Sequence, residues 1–226
     1  MKKINFKSLY ISLCFLTAFL VWTILIVAVE VKPIGPNNSA VGLSSINERV
    51  KNIIGVNFTL YEITDWLGLI PIFTALCFAV TGLIQWIKRK SLFKVDKSLI
   101  VLGAFYLAVI AVYFLFEKVV INYRPVLIGG NLEPSYPSST TMLVTCIMPT
   151  ALMQLRERVK NKRISLVLSI LIIAFIVFMV VGRLISGVHW FSDIVGGLLL
   201  SVGLVFLYAF FINLTKNVAT AKNDLR

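Results

Sequence analysis

Long apolar runs recur along this chain of 226 residues and constrain its fold more than any other feature. Several reach 18 or more residues, enough for a helix to cross the roughly 30 Å hydrocarbon core of a bilayer. Within that core only helices and closed barrels satisfy every backbone hydrogen-bonding group. Charged residues make up 14% of the chain, well below the roughly one quarter usual in soluble domains. The sequence therefore predicts an all-α, polytopic membrane protein that forms a single domain over residues 1–226.

Six membrane-spanning helices are predicted from these runs. They cover about residues 8–29, 67–87, 98–117, 138–155, 164–182 and 194–214. The fourth run is the weakest, because it begins with serine and threonine residues and contains Pro149. The basic N-terminus before the first run resembles that of a signal peptide, but the length of the run favours a retained span.

The basic residues indicate how the spans are oriented. Most of the 22 lysines and arginines fall in the two termini and in the loops after the second and fourth spans, which share one side of the membrane. The positive-inside rule places this side, and with it both termini, in the cytoplasm of a cell-membrane protein. The net charge of +12 thus reflects topology, and no nucleic-acid partner is predicted. The three cysteines lie in apolar runs, so neither disulfides nor a metal site is expected.

The longest predicted loop, residues 30–66, lies on the opposite, outer side. Apolar residues at helical spacing between Ile46 and Ile54 predict a short amphipathic helix on the outer surface. Ser45 and Glu48 form a pattern typical of a capping box at the start of such a helix. Two interpretations of the helix stay open: a linker between spans, or a lid over an active site.

Polar side chains gather at the outer ends of spans three to six. They form three clusters: Lys118 with Arg124; residues 137–140 (Pro-Ser-Ser-Thr); and Arg183, His189 and Asp193. His189 is the only histidine in the chain. Ionisable groups at a membrane are costly to keep and therefore indicate function. Because the three clusters share one side of the membrane, we expect them to converge on an outward-facing active site.

These residue types suggest a phosphate-binding site. Guanidinium groups pair with phosphate oxygens through two hydrogen bonds, and a lysine adds a point charge. Hydroxyls and free N–H groups at the start of the fourth span would complete the cradle. The expected phosphate ligands are Arg124, Arg183, Lys118, Ser138, Ser139 and Thr140. The alternatives are arginines that snorkel to lipid headgroups and hydroxyls that only cap a helix.

His189 and Asp193 are the expected catalytic pair. They lie four residues apart and therefore on one face of a helix. The carboxylate can hold one ring nitrogen protonated and leave the other free to attack phosphorus. A lone histidine is more often structural, but the neighbouring arginines and Asp193 favour a catalytic role.

The three clusters resemble the signature of the phosphatidic acid phosphatase type 2 / haloperoxidase superfamily. That signature reads Lys-x6-Arg-Pro, then Pro-Ser-Gly-His, then Ser-Arg-x5-His-x3-Asp, and the resemblance covers about residues 67–214. The matching residues are Arg124, Pro125, Pro137, Ser138, Arg183, His189 and Asp193. The resemblance implies a six-span helical phosphatase without metal or other cofactor. It also implies that His189 forms a phosphohistidine, that Asp193 orients it, and that the two arginines bind phosphoryl oxygens.

Four positions depart from this signature. Lys118 is one residue too close to Arg124, and Glu117 occupies the strict lysine position. Ser139 stands for the glycine, and Gly182 stands for the serine. Thr140 stands where the family has a histidine that protonates the leaving group. Threonine cannot act as an acid near neutral pH, so the sequence lacks the general acid of the family.

The missing acid favours a substrate with a good leaving group. General acid catalysis contributes about 10²–10⁴-fold in rate, and its loss matters little when the leaving group is a phosphate with a second pKa of about 6. The sequence therefore favours a lipid diphosphate in the outer leaflet, above all a polyprenyl diphosphate. Three alternatives stay open: a phosphatidate-type monoester phosphatase that uses Glu133 or water as its acid, a lipid phosphotransferase, and a non-catalytic lipid-phosphate binder. The oligomeric state is not predicted.

Overall fold

A computed structural model describes residues 6–224, with side chains described up to residue 216. Within this part of the chain the regular structure is helical, apart from isolated β-bridges and two short 3₁₀ turns. The eight α-helices are α1 (Lys7–Ala28), α2 (Ser44–Ile54), α3 (Phe58–Leu67), α4 (Leu69–Arg89), α5 (Lys97–Lys118), α6 (Ser139–Arg158), α7 (Lys162–Ile185) and α8 (Phe191–Asp224). The predicted all-α fold is confirmed.

Among the described residues, five helical segments are long and apolar enough to cross a membrane, by length and composition. They are Lys7–Ala28, Phe58–Arg89, Lys97–Lys118, Lys162–Ile185 and Phe191–Lys216. Each coincides with one of the predicted spans. The second is longer than predicted, because α3 continues into α4 through a break at Gly68.

The predicted fourth span corresponds to α6, which is less apolar than the other five. Eleven of its 20 residues are buried, since α6 packs against α4, α7 and α8 in the centre of the bundle. Two of its hydroxyl groups bond back to helix carbonyls: Thr145 to the Thr141 carbonyl at 2.6 Å and Thr150 to the Cys146 carbonyl at 2.8 Å. A helix shielded from lipid in this way tolerates a polar composition. With a length of about 30 Å, α6 completes a bundle of six long helices.

The bundle is closed by its first and last helices. The Ser12 hydroxyl of α1 donates to the Gly203 carbonyl of α8 at 2.8 Å. Gly203 lets the helices approach, because a Cβ built there would lie 2.8 Å from the Leu16 side chain. Small residues at such crossings promote close packing of membrane helices.

The segment between α1 and α4, which the sequence predicts to be on the outer side, contains two short helices. The predicted amphipathic helix is confirmed as α2, but the predicted capping box is wrong. The helix follows Leu43 in a left-handed conformation with no side-chain cap, and the Ser45 N–H donates instead to the Glu30 carboxylate at 3.3 Å. Helix α2 packs on the start of α8, where the buried Asn47 amide donates to the Ser192 hydroxyl at 3.0 Å. Helix α3 packs against α7.

Candidate active site

The single histidine lies in the tight turn between α7 and α8. Its side chain is 1% exposed. Gly187 makes the turn possible with a φ of 67°, and its α-carbon faces the Gly55 carbonyl so closely that a Cβ would collide with it. Both requirements favour glycine. The outer segment thus covers the turn that carries His189.

Asp193, in the first turn of α8, orients His189 through a serine. The Asp193 Oδ2 atom lies 3.8 Å from His189 Nδ1, too far for a hydrogen bond. The Ser135 Oγ atom lies 3.3 Å from Nδ1, and its hydroxyl donates a short hydrogen bond to Oδ2. The carboxylate also accepts from the Trp190 N–H at 2.9 Å and from the Asn122 amide at 3.3 Å. Ser135 therefore links the histidine to the carboxylate.

This arrangement leaves the other ring nitrogen free. With the proton on Nδ1 donated toward Ser135, Nε2 carries a lone pair. Nε2 is buried and has no hydrogen-bond partner among the described residues. Burial lowers the pKa of His189 to about 4; Arg124 and Arg183 act in the same direction, and Asp193 opposes them. The imidazole is consequently neutral, as a nucleophile must be.

Arg183 is held at the outer end of α7 by groups from α3 and α6. Its side chain is 1% exposed. Its Nη1 donates to the Tyr61 carbonyl and the Thr64 hydroxyl, both at 3.3 Å. Its Nη2 donates to Asp65 Oδ1 at 3.2 Å and to Thr140 Oγ1 at 2.7 Å. Its Nε has no partner within the described chain.

Arg124 presents a second buried guanidinium. Its Nε lies 3.1 Å from Glu133 Oε2, but neither Nε nor Nη1 makes a well-directed hydrogen bond to another described residue. Both guanidiniums stack on the Tyr61 ring, at 5.8 Å for Arg124 and 4.9 Å for Arg183. Tyr61 thus holds the two cations side by side.

The start of α6 supplies hydroxyl groups to the same place. The buried Ser138 donates its N–H to the Asp193 carbonyl at 3.1 Å, and its hydroxyl has no partner in the described part of the chain. Ser139 is the first residue of α6. Thr140 contacts Arg183. The structure therefore brings together Arg124, Ser138, Thr140, Arg183, His189 and Asp193 at one end of the bundle.

Lys118 is not part of this assembly. It is an exposed residue at the end of α5 and makes no hydrogen bond or ion pair with another described residue. Glu117, which occupies the position expected for the lysine, lines a small cavity together with Ser135 and Ser139. At the end of α5, therefore, Glu117 rather than Lys118 lies nearest to the site residues.

A model of the PAP2 superfamily matches residues 101–216, which include every polar residue of the three clusters. The chain belongs to the PAP2 superfamily. It is a phosphoric-ester hydrolase by family and a multi-pass membrane protein by fold. No curated protein matches the chain.

A solved structure similar to this PAP2 protein is that of the transmembrane PAP2-type phosphatidylglycerolphosphate phosphatase from Bacillus subtilis. The two share 20% sequence identity with a TM-score of 0.58, over 89% of this chain and 96% of the other. At this identity the likeness concerns the fold.

The departures of this PAP2 protein from its family signature now have a structural setting. Gly182 lies against α3, since a Cβ built there would lie 2.8 Å from Thr64 Cγ2. Thr140 lies beside the junction of α3 and α4, where a Cβ on Gly68 would be 3.5 Å from its methyl group. Both substitutions therefore face the same helix, α3.

Several site residues had no signal in the sequence. Ser135 and Asn122 contact Asp193 from a loop without periodicity, and Tyr61 and Asp65 belong to a helix outside the matched family region. The second span was predicted to begin at about residue 67, after the end of α3. These residues contact the site only because the chain folds them together, and their spacing in the sequence does not indicate it.

An apolar cleft leads away from the site between α4 and α5. Its outer part, with a volume of about 460 Å³, is lined by Asp65, Ser139 and Thr140 and by apolar residues. Its inner part, about 710 Å³, is almost entirely apolar. The two parts share Ile72, Ala75, Tyr106 and Ile110 and therefore adjoin.

Proposed function

We propose that this protein hydrolyses a lipid diphosphate, above all a polyprenyl diphosphate, through a phosphohistidine on His189. The observation that carries the proposal is the unpartnered, buried Nε2 of a neutral histidine beside two buried guanidiniums. In the first step Nε2 attacks the terminal phosphorus, the bond to the bridging oxygen breaks, and the polyprenyl monophosphate leaves. In the second step water attacks the phosphorus, and the phosphorus–nitrogen bond breaks.

The buried arginines support binding of a highly charged group. Arg124 and Arg183 offer N–H groups without partners among the described residues, in a setting that excludes most water. Two such charges are expensive to bury without an anion. A diphosphate would satisfy them through paired, charge-assisted hydrogen bonds.

The residue at the position of the family acid supports a diphosphate. Thr140 Oγ1 accepts a hydrogen bond from Arg183 and has no acidic proton to give. A monophosphate leaving group carries its own negative charge comfortably at neutral pH, because its second pKa is about 6. The lack of a general acid is then no obstacle to the first step.

The cleft between α4 and α5 supports a lipid. Its polar end meets Thr140, and its apolar part runs along the spans as a hydrocarbon chain would. We infer from the basic residues that both termini are cytoplasmic and that the site faces the outer leaflet of the cell membrane.

The test is phosphate release by purified protein from a polyprenyl diphosphate and from phosphatidic acid in matched micelles. We expect the diphosphate to be turned over about 10²-fold faster or more, because general acid catalysis contributes at least this factor in rate and only the monoester requires it. The His189→Ala variant should release no phosphate from either lipid. Equal or faster release from phosphatidic acid would refute the diphosphate preference.

A second candidate is a lipid monoester phosphatase, and one contact favours it. The Glu133 carboxylate lies 3.1 Å from Arg124 Nε and is 39% exposed, which places a second carboxylate beside a phosphate-binding arginine. The similar Bacillus subtilis structure is named as a phosphatidylglycerolphosphate phosphatase. Under this alternative, Glu133→Gln abolishes monoester turnover; under our proposal, it leaves diphosphate turnover largely intact.

The two remaining alternatives, a phosphotransferase and a non-catalytic binder, can be distinguished by the reaction product and by lipid binding. A phosphotransferase would convert an added lipid or sugar alcohol into its phosphate, with less free phosphate released. A non-catalytic binder would bind lipid phosphate equally well with His189→Ala and show no turnover in the wild type. The linked Asp193, Ser135 and His189 argue against pure binding, which requires only the arginines.

A further inference from the structure

We propose that Asp65 is the general base that activates water to hydrolyse the phosphohistidine. This inference rests on the function proposed above and concerns its second step. A phosphate leaving group makes an acid dispensable in the first step, but water is a poor nucleophile and still requires a base in the second. The family histidine absent at position 140 could not supply one here.

The position of Asp65 fits this role. Arg183 Nη2 donates both to Asp65 Oδ1 at 3.2 Å and to Thr140 Oγ1 at 2.7 Å. Asp65 and Thr140, the residue at the position of the family histidine, therefore accept hydrogen bonds from the same nitrogen atom of Arg183. Asp65 and Thr140 also line the same end of the cleft between α4 and α5.

Two departures from the signature lie against the segment that carries Asp65. Gly182 leaves room for Thr64 of α3, because a side chain there would meet Thr64 Cγ2 at 2.8 Å. The Thr140 methyl group lies beside Gly68, the residue that follows α3, since a Cβ built on Gly68 would be 3.5 Å from it. The position of the family histidine is therefore next to the end of the helix that carries Asp65.

The exposure and pairing of Asp65 suit a base. Its side chain is 58% exposed, although it touches a guanidinium that is 1% exposed. It therefore lies at the surface of the protein, next to the phosphate-binding residues. Its pairing with Arg183 directs the carboxylate toward the phosphate-binding residues.

The step balances as follows. Asp65 takes one proton from water as the oxygen attacks phosphorus, and the bond between phosphorus and Nε2 of His189 breaks. The electron pair of that bond returns to Nε2, which restores the neutral imidazole with its proton on Nδ1. Inorganic phosphate leaves, and the exposed Asp65 returns its proton to solvent.

Glu133 is the competing carboxylate, and its geometry is less suitable. It pairs with Arg124 rather than with the arginine that contacts Thr140. The comparison of Asp65→Asn with Glu133→Gln therefore separates the two carboxylates directly.

The experiment uses the full-length protein and a polyprenyl diphosphate labelled with ³²P on its terminal phosphorus. For Asp65→Asn we expect turnover to fall by about 10²–10⁴-fold, while an initial burst of phosphohistidine close to one per protein is retained. A retained burst shows that the first step is intact and that only the second step is slow, whereas a damaged site would lose the burst as well. Hydroxylamine, a nucleophile that needs no base, should restore release of the label.

Glu62→Gln is the matched control, since Glu62 is an exposed carboxylate on the same helix with no hydrogen bond or ion pair to any other described residue. It should behave as the wild type. Asp65→Glu should recover part of the turnover lost in Asp65→Asn, with an unchanged melting temperature in all three variants.

Three results would overturn the inference. The first is an Asp65→Asn variant that turns over substrate as fast as the wild type. The second is an Asp65→Asn variant that loses phosphohistidine formation to the same extent as turnover. An accumulating phosphohistidine in Glu133→Gln rather than in Asp65→Asn would assign the base to Glu133. A wild type that neither releases phosphate nor forms phosphohistidine refutes the proposed function itself, which keeps the two failures distinct.

Discussion

At the scale of single residues, burial sets the charge of His189. It lowers the pKa of the imidazole to about 4, against an ordinary value of 6.5. The unfolded chain therefore binds a proton near pH 6.5 that the folded chain binds only near pH 4. Because the unfolded state holds more protons in this window, the free energy of unfolding should decrease as the pH falls through it.

NMR can measure this pKa without ambiguity, since the chain has one histidine. Ring signals of ¹³C-labelled histidine in detergent-solubilised protein should titrate with a midpoint of about 4. A midpoint near 6.5 or above would mean that the imidazole is exposed or paired as a cation. Either outcome would contradict the neutral nucleophile.

Removal of the Ser135 hydroxyl tests how the histidine is oriented. In Ser135→Ala the nearest Asp193 oxygen remains 3.8 Å from Nδ1, so the link between the two is lost. Hydrogen bonds to charged groups contribute about 1.5–3 kcal/mol, and kcat should fall about 10–100-fold. The KM should change little, because the arginines remain. An unchanged kcat would remove Ser135 from the account.

The sequence pointed to the residues that the structure gathers at the candidate site, but not to their partners. His189, Asp193, Arg124 and Arg183 were predicted as site residues because motif spacing and residue type both indicate phosphate chemistry, and the structure places them close together. The bridge through Ser135 could not be predicted. Ser135 lies in an irregular loop, 54 positions before His189 and 58 positions before Asp193. The contact between Thr140 and Arg183 was equally hidden in the sequence.

At the scale of helices, the contact between α3 and α7 determines whether Arg183 is held in place. Gly182→Ala puts a methyl group 2.8 Å from Thr64 Cγ2. Overpacking of this kind costs about 1–3 kcal/mol. We expect a lower melting temperature and weaker substrate binding in this variant.

A second substitution should rescue the first. Thr64→Ser removes the clashing methyl group and keeps the hydroxyl that accepts from Arg183. The double variant should therefore recover most of the stability and activity lost in Gly182→Ala. Additive losses in the double variant would show that α3 does not press on Gly182.

The helices themselves were largely predictable. Apolar length fixed four spans to within a few residues, because a bilayer demands about 20 apolar residues, but it placed the start of the second span too late. Helix α6 was the weakest prediction for the reason that the structure shows, namely that neighbouring helices shield it from lipid. Helix α3 was not predicted, since its polar site residues interrupt the apolar pattern.

At the scale of the whole molecule, the proposed orientation places the site outside the cytoplasm. A variant without Cys14, Cys77 and Cys146 allows single cysteines to be introduced at the exposed Asn131 and Lys90. In intact cells, Asn131→Cys should react with a membrane-impermeant maleimide and Lys90→Cys should not. The opposite pattern would place the site in the cytoplasm and reverse the leaflet of the substrate.

The central claim is that His189 becomes phosphorylated during turnover. The most direct measurement is a rapid quench with terminally labelled polyprenyl diphosphate, followed by mass spectrometry of the peptide that contains the one histidine. The account expects an acid-labile, base-stable phosphoryl group on Nε2 of His189, formed at least as fast as phosphate is released and absent from His189→Asn. Phosphate release without this adduct, or with the label on another side chain, would contradict the account.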